Sequence, residues 1–251
     1  MCFSCFTPQN EADALLLRCF FIKCIGGIFM NKAFLFDLNG TMIDDMQFHL
    51  KAWYHILNDD LGANLGWEET KREMYGKNQE LLIRIFGKDR FTPEEMDRFS
   101  LEKEKRYQQE YRPHLQLIPG LHQFLEKAYE LKIPMAIGSA AIMFNIDFVL
   151  DNLNIRHYFK TIVSADDVQI SKPHPETYLK CAGLLGVDPA NCLVFEDAPK
   201  GVEAAQNAGM ASVVLTTMHE KEEFAHYSGI IQYTTDYTQL SPAGLLQSMA
   251  I

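Results

Sequence analysis

The sequence predicts an α/β protein: a Rossmann-like, doubly wound parallel sheet with an all-helical domain inserted into it. From residue 119 onward, short apolar runs alternate with helical patterns, which is typical of a parallel sheet covered by helices on both faces. A first apolar run at 32–36 is separated from those runs by residues 45–113, which are polar and helical in pattern. These patterns predict a sheet-forming core at 30–44 plus 114–251 and a helical domain at 45–113.

The first half of the chain is predicted to contain one strand and then only helices. The strand at 32–36 is a short apolar run of the buried type and ends at Asp37. A polar turn with Gly40 follows, and helical spacing of apolar side chains then covers about 45–60 and about 68–86. The last helix of this part begins at Thr92 and Pro93 and runs to about Tyr111, because Thr caps a helix N-terminus and Pro suits its first turn.

The second half is predicted to contain four more strands, each preceded by a helix. A helix that ends near 132 leads to a strand at 133–137, and a helix at about 144–152 leads to a strand at 161–164. A helix at about 175–185 leads to a strand at 192–195, and a helix at about 201–208 leads to a strand at 212–215. This alternation predicts that all the strands run parallel.

The composition is that of an ordinary globular protein and excludes several classes. The chain has 251 residues, 47% of them hydrophobic, and a formal net charge of −10 with no basic run. An acidic chain of this kind is a poor candidate for binding nucleic acid, whose backbone attracts cationic proteins. We expect no membrane association and a monomer in the cytoplasm, where the cysteines stay reduced.

Residues 1–29 are interpreted as an extension outside the functional protein. Met30 stands directly before the first predicted strand, as a true start would, and four of the six cysteines lie in this extension. A zinc site and a secretory signal are the alternatives. The cysteine spacing fits no common zinc template, and Arg18 and Lys23 interrupt the apolar stretch that a signal would need.

Polar side chains follow four of the predicted strands, at the edge where parallel sheets bind ligands. The four positions are Asp37, Ser139, Lys172 and the pair Glu196-Asp197. Each residue alone has an ordinary explanation, such as a helix cap or a surface charge. Together they suit phosphoryl transfer, with Asp37 as a nucleophile, carboxylates as Mg²⁺ ligands and Lys172 as a counter-charge for phosphoryl oxygens.

These residues resemble the four motifs of the haloacid dehalogenase superfamily. The sequence Phe-Asp-Leu-Asn-Gly-Thr at 36–41 resembles motif I, and Ser139, Lys172 and Glu196-Asp197 match motifs II, III and IV. The segments 171–173 and 196–201, and the helical domain placed directly after motif I, are similar to the β-phosphoglucomutase and sugar-phosphatase branch. The resemblance implies a Mg²⁺-dependent phosphohydrolase or phosphomutase that acts through an aspartyl-phosphate on a small phosphorylated metabolite such as a sugar phosphate.

The resemblance also implies roles for individual residues. The expected catalytic residues are Asp37 as nucleophile, Asn39, Ser139 and Lys172. The expected Mg²⁺ ligands are Asp37, the backbone carbonyl of Asn39 and Asp197, with Glu196 in the metal shell. The residues expected to bind substrate are Thr41, His49, Trp53, Gly76, Lys77, Asn78 and Ala140. Helix packing is the alternative explanation for Trp53.

Asn39 departs from the family pattern, which has an aspartic acid at this position as the general acid and base. An amide keeps the shape of the side chain but cannot usefully exchange a proton, and such catalysis is worth about 10²- to 10⁴-fold. A working enzyme would need another proton relay, for which His49 is the nearest candidate. Two alternatives stay open: an impaired protein that only binds phosphometabolites, and a phosphonate- or dehalogenase-type hydrolase, with Lys77 as a Schiff-base candidate.

Overall fold

The structure, a computed structural model, describes residues 32–249, so the predicted extension at 1–29 lies outside the described residues. Its strands are β1 (Ala33–Phe36), β2 (Met135–Gly138), β3 (Thr161–Val163), β4 (Cys192–Glu196), β5 (Ala211–Leu215) and β6 (Ile230–Thr234). They form one parallel sheet in the spatial order β3-β2-β1-β4-β5-β6. This is the doubly wound Rossmann-like order, as the sequence predicts.

Helices fill the connections between the strands. Within residues 32–249 they are α1 (Met46–His55), α2 (Trp67–Glu73), α3 (Asn78–Phe86), α4 (Pro93–Tyr111), α5 (Leu121–Glu130), α6 (Met143–Asn152), α7 (Glu176–Leu185), α8 (Pro199–Asn207) and α9 (Pro242–Ser248). A π-helical turn at Ile56–Asp60 extends α1. None of these helices combines the length and the apolar character needed to cross a membrane.

The central strand β1 is buried on both faces of the sheet. Phe34 and Phe36 belong to the apolar cluster of one face, where Phe36 stacks on Phe195 with 4.5 Å between ring centroids. Ala33 and Leu35 belong to the cluster of the other face. Because side chains alternate along a strand, an apolar run without a polar position needs cover on both sides, which the helices supply.

The register of the strands brings the predicted chemistry to one edge. Phe36, the last residue of β1, is level with Ile137 of β2 on one side and with Phe195 of β4 on the other. The polar residues that follow these three strands therefore emerge side by side at the carboxyl edge of the sheet.

Helices α1, α3 and α4 share an apolar core of their own. Its buried members are Trp53, Ile56, Leu57, Leu81, Leu82 and Met96. The structure divides the helical pattern at 68–86 into α2 and α3, with a turn at Gly76 whose φ is +75°. Arg84 of α3 donates hydrogen bonds to the carbonyls of Glu73 and Tyr75, so main-chain oxygens at the end of α2 keep partners where the helix stops.

Two elements after residue 215 are not predicted by the sequence patterns. β6 pairs with β5 at the edge of the sheet, and its side chains are mostly half-buried. α9 begins after Ser241, whose hydroxyl accepts a hydrogen bond from the amide of Gly244. An edge strand that is not buried on both faces does not need a continuous apolar run, which is why periodicity misses it.

Candidate active site

Lys172 is held among buried carboxylates at the carboxyl edge of the sheet. Its Nζ lies 2.7 Å from Asp37 Oδ1 and 2.7 Å from Glu196 Oε1. The same nitrogen donates to Tyr178 Oη at 2.8 Å and to the carbonyl of Gly138 at 3.0 Å. Groups at the ends of β1, β2 and β4 therefore fix the ammonium beside Asp37.

Asp37, Glu196 and Asp197 form a buried cluster with the geometry of a metal site. One oxygen of each lies within 4.8 Å of the others. Burial raises the pKa of Asp37 to about 7, with Lys172 opposing this shift and Glu196 adding to it. Burial, Glu196 and Asp37 also raise the pKa of Asp197. One ammonium does not balance three carboxylates, and a hard divalent cation such as Mg²⁺ fits this oxygen set and would supply the missing charge.

Two glycines allow the carboxylates of this cluster to approach the main chain. Gly40 has a φ of +76°, and a Cβ atom there would lie 2.1 Å from Asp197 Oδ2. A Cβ atom at Gly201 would lie 1.8 Å from Glu196 Oε1. A side chain at either position would displace a carboxylate. Steric crowding therefore explains why glycine occupies both positions of the predicted motifs.

A cavity of about 160 Å³ lies between this edge of the sheet and helices α1, α3 and α4. The predicted site residues that line it are Asp37, Asn39, His49, Trp53, Gly76, Lys77, Asn78, Ser139, Ala140, Lys172, Glu196 and Asp197. Its volume is below the roughly 300–1,000 Å³ of pockets for drug-sized ligands, so it suits a small metabolite. Trp53 lines the cavity and also packs in the apolar core shared by α1, α3 and α4, so helix packing accounts for part of its surface.

Thr41 and Ser139, the predicted hydroxyl ligands of the phosphoryl group, are placed differently. Thr41 does not line the cavity, and its Oγ1 donates to Asp197 Oδ1 at 3.1 Å. Ser139 lines the cavity, and its Oγ accepts from the amide of Ala141 at 3.1 Å. Thr41 therefore orients Asp197, whereas Ser139 is positioned to meet a ligand.

The side chain of Asn39 belongs to a buried polar cluster that reaches α1 and α4. Its Nδ2 donates to Asp45 Oδ2 at 2.6 Å and lies 3.0 Å from His49 Nε2. Tyr107 Oη donates to the same Asp45 oxygen at 2.5 Å. The amide nitrogen faces Asp45 because the reverse orientation would place two acceptor oxygens against each other. Asp45 Oδ1 is buried without a partner among the described residues.

Lys103 of α4 determines the tautomer of His49. Its Nζ lies 2.6 Å from His49 Nδ1, so an ammonium at Lys103 makes this ring nitrogen the acceptor and places the proton of the neutral ring on Nε2. That proton is directed to Asp45, because Asn39 Nδ2, 3.0 Å from Nε2, is itself a donor. His49 Nε2 lies 3.3 Å from Asp45 Oδ2, which can accept that proton in a hydrogen bond. Burial lowers the pKa of Lys103, although Glu104 and Asp45 oppose the shift.

Glu104 connects the helical domain to the core. Its Oε1 accepts from Asn78 Nδ2 at 2.7 Å, and its Oε2 accepts from Asn145 Nδ2 at 2.5 Å. The two oxygens lie 3.1 and 3.0 Å from Lys103 Nζ. Burial raises the pKa of Glu104, but Lys103, His49 and the two amides together hold that pKa below its ordinary value, so Glu104 is a carboxylate.

Sequence reasoning did not identify Asp45, Lys103, Glu104, Tyr107, Asn145 and Tyr178 as site residues. One signal was present for the α4 residues. The buried positions Met96, Ser100, Lys103, Tyr107 and Tyr111 recur at helical spacing, which marks a buried stripe. A lysine within such a stripe indicates a buried, paired charge.

The matched family agrees with this geometry. The family model described as haloacid dehalogenase-like hydrolase matches residues 34–215, which include β1 from its second residue, β2 to β5 and every residue of the carboxylate cluster. The chain belongs to the haloacid dehalogenase-like hydrolase family. The predicted family and the predicted Rossmann-like fold are therefore both confirmed.

Relatives within the haloacid dehalogenase-like family include phosphatases and mutases. The fructose-1-phosphate phosphatase of Escherichia coli (strain K12) is 32% identical over 182 residues, which cover 71% of this chain and 93% of that protein. The β-phosphoglucomutase of Bacillus subtilis (strain 168) is 31% identical over 188 residues, which cover 72% and 82%. The crystal structure of β-phosphoglucomutase from Clostridium difficile has a TM-score of 0.76 at 27% identity and covers 87% of this chain and 97% of that chain.

Proposed function

We propose that this protein is a Mg²⁺-dependent phosphatase that transfers the phosphoryl group of a small sugar phosphate to Asp37 and then to water. The observation that carries the proposal is the Lys172 ammonium, 2.7 Å from both Asp37 Oδ1 and Glu196 Oε1, in the wall of a cavity that Asp197 also lines. Phosphoryl transfer needs such positive charge placed beside the nucleophile. The names of the relatives, a fructose-1-phosphate phosphatase and a β-phosphoglucomutase, support a sugar phosphate as the substrate class.

The proposed reaction has two steps at phosphorus. In the first, a carboxylate oxygen of Asp37 forms a bond to phosphorus while the bond from phosphorus to the sugar oxygen breaks. In the second, water attacks the phosphorus, which releases inorganic phosphate and restores the Asp37 carboxylate. Mg²⁺ held by Asp37, Asp197 and the Asn39 carbonyl would supply further positive charge for the phosphoryl oxygens.

We assign proton transfer to His49, because Asn39 cannot perform it. His49 lines the cavity, and its Nε2 lies 3.0 Å from Asn39 Nδ2, next to the position where the family has its acid. Asp45 and Lys103 orient the ring from opposite sides. As Nε2 gives its proton to the departing sugar oxygen, Nδ1 takes a proton from the Lys103 ammonium 2.6 Å away, so the ring stays neutral. When water attacks, Nε2 accepts a proton from the water and Nδ1 returns one to Lys103.

We also propose that residues 45–113 act as a cap domain, and that the protein works as a cytoplasmic monomer. Hydrogen bonds between side chains join cap and core, including Ser171 Oγ to Glu80 Oε1 at 2.9 Å and Gln108 Nε2 to Asn145 Oδ1 at 2.8 Å. Contacts of this kind can break and form again, which suits a cap that admits substrate and then excludes water.

Phosphate release from hexose and hexitol phosphates, measured with and without Mg²⁺, tests the proposed function. We expect turnover that requires Mg²⁺ and that Asp37→Asn abolishes, while Asp89→Asn, at an exposed carboxylate, is the matched control. No release from any sugar phosphate, acyl phosphate or nucleotide would overturn the proposal. In ¹⁸O-water, label in the released phosphate supports attack at phosphorus, whereas label in Asp37 would indicate dehalogenase-type hydrolysis of an ester.

Asn39 favours a second candidate function, which is binding of a phosphometabolite without turnover. The amide at this position leaves the metal and phosphoryl ligands in place and removes only the acid of the family. Calorimetric binding of a sugar phosphate by a wild-type protein that releases no phosphate would identify this case.

A further inference from the structure

We infer that the substrate carries a single phosphoryl group on an otherwise uncharged, hydroxylated molecule, so that the site hydrolyses a monophosphate and does not act as a mutase. This inference rests on the proposed function and narrows it. Moving a phosphoryl group between two positions of a sugar through Asp37 requires a cavity that can hold a sugar with two phosphates. Whether the cavity wall away from Asp37 can bind a second phosphate therefore distinguishes hydrolysis from the mutase reaction.

Each lysine of that wall already has a partner among the described residues. The lysines that line the cavity are Lys77, Lys103, Lys172 and Lys200, and no arginine lines it among the described residues. Lys103 is paired with Glu104 at 3.0 Å, and Lys200 is paired with a surface glutamate at 3.3 Å. Lys77 donates to a main-chain carbonyl, and Lys172 is bound to the carboxylates of the phosphoryl site. A second phosphate would have to compete with these partners for the ammonium groups.

The N-terminus of α6, which borders the cavity, is also occupied. Helix N-termini bind anions through their unpaired amides. Here the amide of Met143 donates to Asp166 Oδ2 at 3.0 Å, and the amide of Ala141 donates to Ser139 Oγ at 3.1 Å. The carboxylate of Asp166 thus takes the anion position, and a phosphate would meet a negative charge there.

Glu104 makes the same wall unfavourable for an anion and compatible with hydroxyl groups. It is 2% exposed, lines the cavity and is a carboxylate, so it repels a second phosphate. Asn78 and Asn145 also line the cavity, and their amides can both donate to and accept from hydroxyls. Trp53 and Leu81 provide apolar surface for a carbon skeleton.

Binding to the Asp37→Asn protein in the presence of Mg²⁺ tests the inference without requiring turnover. Calorimetry would give the dissociation constants of a hexose monophosphate and of the corresponding bisphosphate. We expect the monophosphate to bind at least about ten-fold more tightly. Ala141→Lys adds a cation at the cavity wall and should narrow this difference by strengthening bisphosphate binding. Ala141→Met adds a side chain of similar length without the charge and should leave the difference between the two dissociation constants unchanged.

Equal or tighter binding of the bisphosphate by the Asp37→Asn protein would overturn the inference. Formation of an isomerised sugar phosphate by the wild-type protein, supplied with a monophosphate and catalytic bisphosphate, would also overturn it. A second measurement uses the wild type, with each sugar phosphate competing against hydrolysis of p-nitrophenyl phosphate. The monophosphate should have a lower inhibition constant than the bisphosphate. Failure of the proposed function has a different result, since neither p-nitrophenyl phosphate nor any sugar phosphate would then be hydrolysed.

Discussion

Replacing Asn39 by Asp should destabilise the protein. Asn39 Nδ2 lies 2.6 Å from Asp45 Oδ2, and Asp45 is fully buried. In the Asn39→Asp variant an acceptor oxygen replaces the donating nitrogen, so two buried carboxylates face each other. The double variant Asn39→Asp with Asp45→Asn restores one carboxylate and one amide, with their positions exchanged.

The distance sets the size of the effect. Two unit charges about 3 Å apart repel by about 5 kcal/mol at an effective dielectric constant of about 20. The pair can avoid this by binding a proton, which the two carboxyl groups then share in a hydrogen bond. Binding that proton at pH 7 costs up to about 4 kcal/mol, because the ordinary pKa of Asp is about 3.9 and each pH unit is worth about 1.4 kcal/mol. We therefore expect Asn39→Asp to lower the free energy of unfolding by about 2–4 kcal/mol at pH 7. The loss should be smaller at pH 5, where a proton is bound more readily.

Urea unfolding of the wild type, both single variants and the double variant measures this effect. We expect a coupling energy of about 2 kcal/mol or more between the two substitutions, because the side chains are in contact. Phosphate release by the same four proteins gives a second readout. The double variant should release phosphate faster than the wild type, by up to about 10²- to 10⁴-fold. The reason is that a carboxyl group then stands at position 39, opposite the amide that Asp45→Asn introduces.

Two results would refute this reasoning. One is wild-type stability of the Asn39→Asp variant at pH 7 and at pH 5, which would mean that Asp45 does not face position 39 as a charged group. The other is strict additivity of the two substitutions, which would mean that the side chains do not interact.

Three further predictions concern the carboxylate cluster. Lys172→Met should lower the free energy of unfolding, measured with urea, by about 3–5 kcal/mol, because it leaves Asp37 and Glu196 buried without their cation. An unchanged free energy of unfolding would contradict the ion pairs of Lys172 with these two carboxylates. Burial raises the pKa of Asp37 from 3.8 to about 7, so between pH 4 and 7 the folded metal-free protein binds a proton that the unfolded chain does not. Its free energy of unfolding should therefore fall as the pH rises through this range. Mg²⁺ should make this dependence on pH weaker, and the same dependence with Mg²⁺ and with chelator would count against the metal site. Gly201→Ala should lower the melting temperature, because the new Cβ would overlap Glu196 at a cost of about 1–3 kcal/mol. The control is Gly183→Ala, at a helical position with open space around the Cβ, which should stabilise the protein by about 0.5–1 kcal/mol.

Most of the fold was predictable from the sequence. The strands and helices from β1 to β5 appear where the apolar runs and helical patterns place them, within a few residues. The misses have physical causes. β6 is a half-buried edge strand without a continuous apolar run, and the break between α2 and α3 depends on contacts from Arg84 to carbonyls of Glu73 and Tyr75, which no periodicity reports.

The candidate site was predictable only in part. The residues at the strand ends could be identified, because in a parallel sheet the carboxyl ends of neighbouring strands meet wherever the intervening chain goes. Thr41 shows the limit of that argument, since its hydroxyl is bonded to Asp197 and does not line the cavity. Local position along the chain identifies which residues reach the edge, but it does not tell which way each side chain points.

The sequence by itself determined the order of elements, the residues of the carboxylate cluster and the amide at position 39, because these follow from local periodicity and from residue identity. Only the tertiary structure decided what faces Asn39. His49 and Lys103 are 54 residues apart in the chain, and they meet because α1 packs against α4. Such contacts depend on the packing of whole helices, so the buried cluster around Asp45 appears only in the folded protein.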